Sequence, residues 1–585
     1  MKRLLQTIFA AAAVALLTVC AVSCKDTPVD KTKKLSLSKT SVTINAKGQT
    51  TEFTIVAKAA WTLTLSGSWI TASPTSGTAE STVTVKLTAT PNDGEAMRVS
   101  TVTISAAGES EPYIFTVNQS GVNTLTGINK WVYETLEKWY YWNDAVKAAT
   151  LPSNSLAYDE FLNTLLLDLD GAQDDTENPP TIDGNYYANG DRYVYSYILQ
   201  TSATRAASEE TTFGFDIEPF YISKDDANRL GFLVKWVQPD GPADLAGIKR
   251  GMWIYQYAGA NIYLSQYETF WYQLHYQQGG NTMTLTDDAD NEYDLTAASM
   301  KVTPILYHDV ITSDEGKKVA YLVYNQFERG EVVGRGDGEY DNDLRELFGE
   351  FKAAGATELV LDLRYNPGGY VSSCQILTSL SGAVGASDVF AKLLRNDDIR
   401  EVYNVANPEV ANFLDEPNSL GLDKIYVLET SYSASASEMV INALRGVLGD
   451  NAIVHIGTKT EGKNVGMDLL EQTVGAYDYE MWPITFKIMN AKDFCNYAGG
   501  LTPNYLKNEY WDIINTEGGV LREFGDPEER LLNAALTLID GGQVVDDTSS
   551  RAAQTRAATG ATEMKQPAKI LNNPRQGGAK YIPNL

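Results

Sequence analysis

Between residues 33 and 121 apolar and polar side chains alternate almost one by one. "KLSLSKTSVTINAKGQTTEFTIVA", "STVTVKLTAT", "STVTISAAG" and "YIFTVNQS" each put every second side chain on one face, with Gly, Pro and Asn-Asp turns between them. A period of two marks half-buried strands. About seven such runs in this stretch predict an all-β, immunoglobulin-like sandwich. From 126 to 205 the period lengthens. "INKWVYETLEKWYYWNDAV" and "LAYDEFLNTLLLDL" space their apolar residues three and four apart, as amphipathic helices do. Residues 211–305 return to β character.

From about 316 the pattern changes again. Continuous apolar runs ("KVAYLVYNQF", "ELVLDLRYNPGG", "KIYVLET", "NAIVHIG") are interleaved with amphipathic stretches ("LRELFGEFKAAG", "SSCQILTSLSG", "SEMVINALRGVLG"). Strands buried on both faces read this way, so 306–541 is expected to be an α/β core around a largely parallel sheet. Residues 543–585 offer little to bury and are expected to be a disordered tail. The fold class is therefore multidomain: a β-sandwich (33–121), a helical segment (126–205), a β domain (211–305) and an α/β core.

Composition narrows the partners. A chain of 585 residues exceeds one hydrophobic core, and 43% hydrophobic with 21% charged residues is ordinary for a soluble globular protein. The net charge of -28 leaves no basic excess to meet phosphates, which excludes a nucleic-acid partner. Lys2 and Arg3 precede "LLQTIFAAAAVALLTVCAV", so residues 1–23 read as a signal peptide. "AVSCKD" resembles a bacterial lipobox. That resemblance implies cleavage before Cys24, lipidation of its thiol and an envelope lipoprotein of the outer membrane, facing the periplasm or the outside. Soluble secretion is the plainer alternative. Cys374 and Cys495 then remain, and are expected to be free rather than bridged. No C-x-x-C or H-E-x-x-H spacing occurs, so no metal or other cofactor is expected. The acidic loop "DGAQDDTENPPTIDGN" lacks an EF-hand pattern and reads as solvated, and Arg335-Gly336-Asp337 reads as an exposed turn.

Two modules carry resemblances of their own. Trp61, Trp69, "PTSG", Arg98 and "VNQSG" resemble the BACON module of Bacteroidetes surface proteins. That implies glycan contact, against the plainer reading of a spacer with both tryptophans in its core. "FLVKWVQPDGPADLAGIKRGMWIYQYAGANI" is similar to a PDZ domain. On that likeness Phe213, Gly214, Phe215 and Asp216 form the loop whose backbone N–H groups receive a peptide's C-terminal carboxylate.

The candidate chemistry lies in "SYSASASE". An apolar strand precedes it, and Val440, Ala443, Leu444, Val447 and Leu448 mark a helical face after it. The serines thus occupy a strand-to-helix turn, where unpaired amides and the helix dipole stabilise a developing oxyanion. This is the logic of a nucleophile elbow, though an N-cap serine explains the same pattern. His275, His308 and His455 are the only histidines, and none has a convincing acid partner at a recurring spacing, so a Ser-His-Asp triad has poor support. A lysine base is the other possibility, with Lys463 of "GTKTEGKNVG" set beside a glycine turn and Lys459 as its rival. A lysine serves only if its pKa falls from about 10.4 toward 7 or 8, roughly 3 to 5 kcal/mol of destabilised ammonium supplied by burial.

"SASASE", "GTKTEGK" and "LDLRYNPGG" together resemble the S41 family of C-terminal processing peptidases, over residues 126–541. The resemblance implies a serine endopeptidase with Ser435 as nucleophile and Lys463 as base. It implies an oxyanion hole of the Ala436 amide with Gly369, or Gly368 close behind. Ser437 is then expected to cap the helix and Ser433 to line the approach. Protein or peptide substrates follow, with the PDZ-like domain holding their C-termini. Position 467 departs from the family, with Met in place of the usual glutamine. The competing reading is a non-catalytic lipoprotein that captures peptides or glycans around a vestigial core. A third is an esterase pairing Ser435 with a histidine.

Overall fold

The computed structural model describes residues 33–39, 41–44, 46–94, 97–119, 121, 125–169, 183–186, 192–201, 210–222, 226, 228–275, 280–332, 337–403, 408–516, 518–547, 566–567 and 579–581. The signal segment, Cys24, most of the acidic loop, Arg335-Gly336 and most of the tail lie outside them. The chain falls into two compact units, one drawn from Met1–Tyr133, Trp142–Ser155 and Asp168–Ile182, the other from Glu134–Tyr141, Leu156–Leu167 and Asp183–Leu585.

In the first unit the alternating runs form two sheets. One has the order Leu35–Leu37, Thr50–Ala57, Ser81–Ala89, Ile70–Ser73. The other runs Ser41–Ile44, Tyr113–Gln119, Arg98–Ala106, Trp61–Leu65, Ser76–Gly77. The apolar half of each alternation fills one core, in which Phe53 and Phe115 stack with centroids 4.5 Å apart. Trp61 belongs to that core, and Trp69 is half-buried against it with the Arg98 guanidinium 4.6 Å from its ring centroid. Neither ring is an open platform.

Helices Gly127–Trp139, Asn143–Ala148 and Tyr158–Leu167 occupy the segment of helical period. That segment ends in strand: Tyr197–Thr201 pairs antiparallel with Tyr477–Trp482. The 211–305 region is an antiparallel sheet in the order Glu292–Thr296, Thr282–Asp287, Trp253–Tyr257, Ala260–Tyr263, Arg229–Val237, Phe215–Tyr221, with the short tail strand Gln566–Pro567 at its edge. Helices Pro242–Leu245 and Leu264–His275 complete it.

The α/β core is a six-stranded sheet, Ile305–Thr312, Lys318–Tyr324, Glu358–Asp362, Ile425–Glu429, Ile453–Gly457, Tyr505–Leu506, parallel after its first pair. Its strands read as unbroken apolar runs because both faces are covered. Leu322, Leu361, Ile425 and Val427 face helices Glu339–Ala354, Val371–Ser381 and Ala436–Leu448. Tyr321, Val360, Tyr426 and Leu428 face helix Arg530–Ile539. A second sheet, with Val465–Asp468 next to Ile484–Met489, lies beyond the serine helix and receives the chain after Lys463.

Candidate active site

The central strand Ile425–Glu429 delivers the chain into the serine turn, and helix Ala436–Leu448 leaves it. Ser435 sits at the junction with φ 57° and ψ -108°, a conformation an L side chain rarely adopts and one costing about 1–3 kcal/mol. Short side chains pin the turn. The Ser433 hydroxyl donates to the Leu363 carbonyl at 2.8 Å and accepts the Thr430 amide at 3.0 Å. The Ser437 hydroxyl donates to the Asn366 carbonyl at 2.8 Å, and the Ala434 amide reaches the same oxygen at 3.2 Å. The expected minor roles are thus corrected. Ser437 is the second helical residue and caps nothing, because the N-cap position falls on Ser435. Ser433 is buried as a pin and lines no approach.

One carboxylate organises the site. Glu438, fully buried, accepts the Ser435 amide (2.9 Å) and the Lys463 amide (2.8 Å) on Oε2. Its Oε1 accepts the Gly462 amide (2.7 Å) and the Thr460 hydroxyl (2.6 Å). Burial pushes its pKa up to about 7, against the Thr460 hydroxyl and the Ser435 and Gly462 amides, which favour the ionised form. Residues 435 and 463, far apart in sequence, are therefore fastened to the same oxygen. Glu438 escaped the sequence reading, although Ser435 followed by an acid three residues on is the capping-box spacing.

The "NPGG" turn lies against the elbow. A Cβ built on Gly368 (φ 106°) would stand 2.9 Å from Ser435 Cβ and 3.0 Å from the Ala436 nitrogen, so only glycine lets the two backbones approach this closely. The Gly368 amide donates to Asn366 Oδ1 at 2.9 Å. Gly369 (φ 142°) faces Phe327, whose carbonyl oxygen would be 2.1 Å from any Cβ there. Ala436 carries the first amide of the helix, at its positive end.

Lys463 is 4% exposed, whereas its rival Lys459 is exposed. The Lys463 ammonium lies 4.4 Å from the ring centroid of Tyr195 and 3.6 Å from Met467 Sδ. Tyr195 in turn donates its hydroxyl to Glu461 Oε1 at 3.0 Å, and Tyr193 donates to the same oxygen. No local motif could have found Tyr195, which comes from the segment preceding the β domain.

Behind the glycine turn lies a buried ion network. Arg364, wholly enclosed, donates to Asp362 Oδ2 (2.6 Å) and Glu529 Oε1 (2.7 Å), and Glu509 Oε2 lies 3.3 Å away. Arg250 of the β domain reaches the same Glu509 at 3.3 Å and the Tyr365 hydroxyl at 2.7 Å. Burial would raise the Glu529 carboxyl, but Arg364 beside it holds it down to about 2.

Among the other expected residues, Phe213 and Phe215 bury their rings in the core of the β domain. Gly214 (φ 77°) turns the chain and its carbonyl accepts the Gln238 amide at 2.7 Å. Asp216 is held by Lys235 at 2.8 Å and His275 at 3.3 Å. His455 is enclosed in its strand, where burial and then Arg445 press its pKa down to about 3. His308 lies on the edge strand Ile305–Thr312, so no histidine enters the Glu438 clamp. Cys374 and Cys495 are not disulfide-bonded, and among the described residues no cluster of His, Cys, Asp and Glu could hold a metal.

Comparison with known proteins bears on the same residues. Residues 318–485, which contain the serine turn, the glycine turn and Lys463, match the model for Peptidase family S41. This stretch is similar to an S41 peptidase core. Residues 127–197, the source of Tyr195, match the Peptidase S41 N-terminal domain, and residues 59–120 match BACON, described as "Putative binding domain, N-terminal". A solved "Putative S41 protease" from Bacteroides fragilis is 26% identical, with a TM-score of 0.54, over 70% of this chain and 97% of its own. The photosystem II D1 C-terminal processing protease is 16% identical, with a TM-score of 0.39, over 69% of this chain and 98% of its own. No curated protein matches the chain. The S41 match covers the central strands of the α/β sheet, and the chain is multidomain, with a β-rich region and a helical segment ahead of that sheet.

Proposed function

We propose that this protein is a serine endopeptidase that cleaves secreted or envelope proteins through a Ser435–Lys463 dyad. The observation that carries the reading is the Glu438 clamp, which fastens the backbone of both residues to one buried carboxylate oxygen. A nucleophile and its base must be held within hydrogen-bond reach, and a shared anchor between their backbones serves that need. The neutral Lys463 amine accepts the proton of Ser435 Oγ as that oxygen attacks a peptide carbonyl carbon. The tetrahedral oxyanion is met by the Ala436 amide and the Gly369 amide. Gly368 is the weaker donor candidate because its N–H is already given to Asn366. The resulting ammonium protonates the leaving amine, and water hydrolyses the acyl-enzyme by the reverse proton route.

Ser435 has no exposed surface, so on this reading its cover must move before a peptide arrives. The loop Phe213–Asp216 of the PDZ-like domain receives the substrate's C-terminus. Lipidation of Cys24 anchors the chain to the envelope, and the BACON-like module acts as spacer or glycan contact. The deciding experiment incubates the protein with casein across pH 6 to 10, beside Ser435→Ala and Lys463→Ala. Both variants are expected to be inactive. Unimpaired cleavage by either one removes the dyad.

A further inference from the structure

Part of the wall around Lys463 comes from outside residues 318–485. Its amine is roofed by an aromatic ring from the segment preceding the β domain, at the end of the S41 N-terminal domain. We infer that Tyr195 is a positioning residue for the catalytic lysine: its ring face and Met467 Sδ together fix where the Lys463 amine points. This rests on the dyad reading above and adds to it a residue outside the core.

Three observations carry the inference. The first is geometry, because a nitrogen 4.4 Å from a ring centroid is well inside the range at which the negative π face attracts a cation. The second is that Tyr195 is itself held at both ends, by its amide and by its hydroxyl. Its amide donates to Asp183 Oδ1 at 2.9 Å. Its hydroxyl donates to Glu461 Oε1, which also receives Tyr193 and, at 3.0 Å, Asn185 Nδ2. Asp183 is fixed in turn by the Tyr140 hydroxyl at 2.9 Å and the Ser196 hydroxyl at 2.6 Å. So much fastening makes the ring a rigid wall rather than a side chain that happens to lie near. The third is chemical, since Met467 stands four residues past Lys463 with a thioether, a weak acceptor that leaves orientation to another group.

Among the described residues, the ionisable groups near the lysine include Glu438 from the serine helix, Glu461 from its own loop, and Tyr193 and Tyr195 from the roof. Burial, and then Glu461, raise the Tyr195 phenol well above its ordinary value, so it stays neutral and works through its ring and its hydrogen bond.

The test uses the full chain and reads the rate at which a fluorophosphonate probe labels Ser435, from pH 6 to 10, for the wild type, Tyr195→Phe, Tyr195→Leu and Lys463→Ala. Tyr195→Phe keeps the face and loses only the hydroxyl, so it is expected to label within about threefold of wild type with the same pH profile. Tyr195→Leu removes the face that favours the ammonium. Its maximal rate is expected to fall about tenfold, and its acid limb to move about one pH unit lower. A Leu variant with wild-type rate and profile overturns the inference while leaving the dyad intact, provided Lys463→Ala is unreactive. A Phe variant as impaired as Leu also overturns it, by assigning the effect to the Glu461 hydrogen bond. Labelling that survives Lys463→Ala overturns the dyad and this inference with it.

Discussion

The Lys463 amide and the Ser435 amide donate to the same oxygen, Oε2 of Glu438, at 2.8 and 2.9 Å. Replacing that carboxylate by an amide confronts two N–H donors with either one neutral oxygen or an NH2 group. Glu438→Gln is therefore expected to lower kcat about 100-fold with little change in KM, because misplacement by a fraction of an ångström is felt in the transition state rather than in binding. Steady-state cleavage of casein or the fluorophosphonate labelling rate measures it. A variant with wild-type kcat would show that the clamp is structural only.

The same residue links stability to pH. Glu438 has its folded pKa raised to about 7 from an ordinary 4.5, mainly by burial. The folded chain then binds more protons than the unfolded one between those values, so stability is fully present below about pH 4.5 and declines as pH rises through 7. Glu218, raised to about 7 by burial despite Lys235, adds a parallel decline. Urea unfolding of Glu438→Gln at pH 5 and pH 8 is expected to show a smaller loss across that interval than the wild type. An equal loss in both would assign the slope to Glu218 and other groups.

Gly368 gives a sharper steric prediction. Gly368→Ala places a methyl 2.9 Å from Ser435 Cβ at a φ of 106°, whereas Gly475→Ala at φ 66° meets nothing within 4 Å. The first is expected to destabilise by about 2 kcal/mol or more and to abolish measurable labelling of Ser435. The second is expected to cost about 1 kcal/mol and leave labelling unchanged. Thermal unfolding and the probe reaction separate strain from collision.

How far the sequence could be read follows from these residues. The α/β core was legible because buried strands leave continuous apolar runs, and the elbow because a helical face begins abruptly after three serines. The cap was misassigned to Ser437, since spacing alone favours the last serine before the apolar run. The backbone instead turns one residue before Ala436, where Glu438 reaches back to the Ser435 amide. Tyr195 leaves no trace in any window, because its meeting with Lys463 is made by tertiary packing across the whole β domain. Arg364 in "LDLRYNPGG" looks like an ordinary charged residue at a strand end. Its carboxylate partners Glu509 and Glu529 lie 145 and 165 residues away, a separation that no pattern rule spans.

That network supplies the last prediction. Arg364 and Glu529 are both enclosed, and removing one partner leaves the other as an uncompensated buried charge. Arg364→Ala is expected to destabilise the core by about 3–5 kcal/mol, and it also withdraws the support behind the glycine turn. Glu529 has its folded pKa held down to about 2 by Arg364, below an ordinary 4.5. Its contribution is therefore present above about pH 4.5 and lost as pH falls toward 2. Glu529→Gln forfeits that contribution at every pH. The stability gap between wild type and Glu529→Gln is thus expected to be about 3 kcal/mol at pH 7 and to narrow steadily below pH 4.5. Urea midpoints measured from pH 7 down to pH 3 test it. A gap that stays constant over that range would mean that Glu529 acts by packing and capping helix Arg530–Ile539, through its bonds to the Leu531 and Leu532 amides, rather than by its charge.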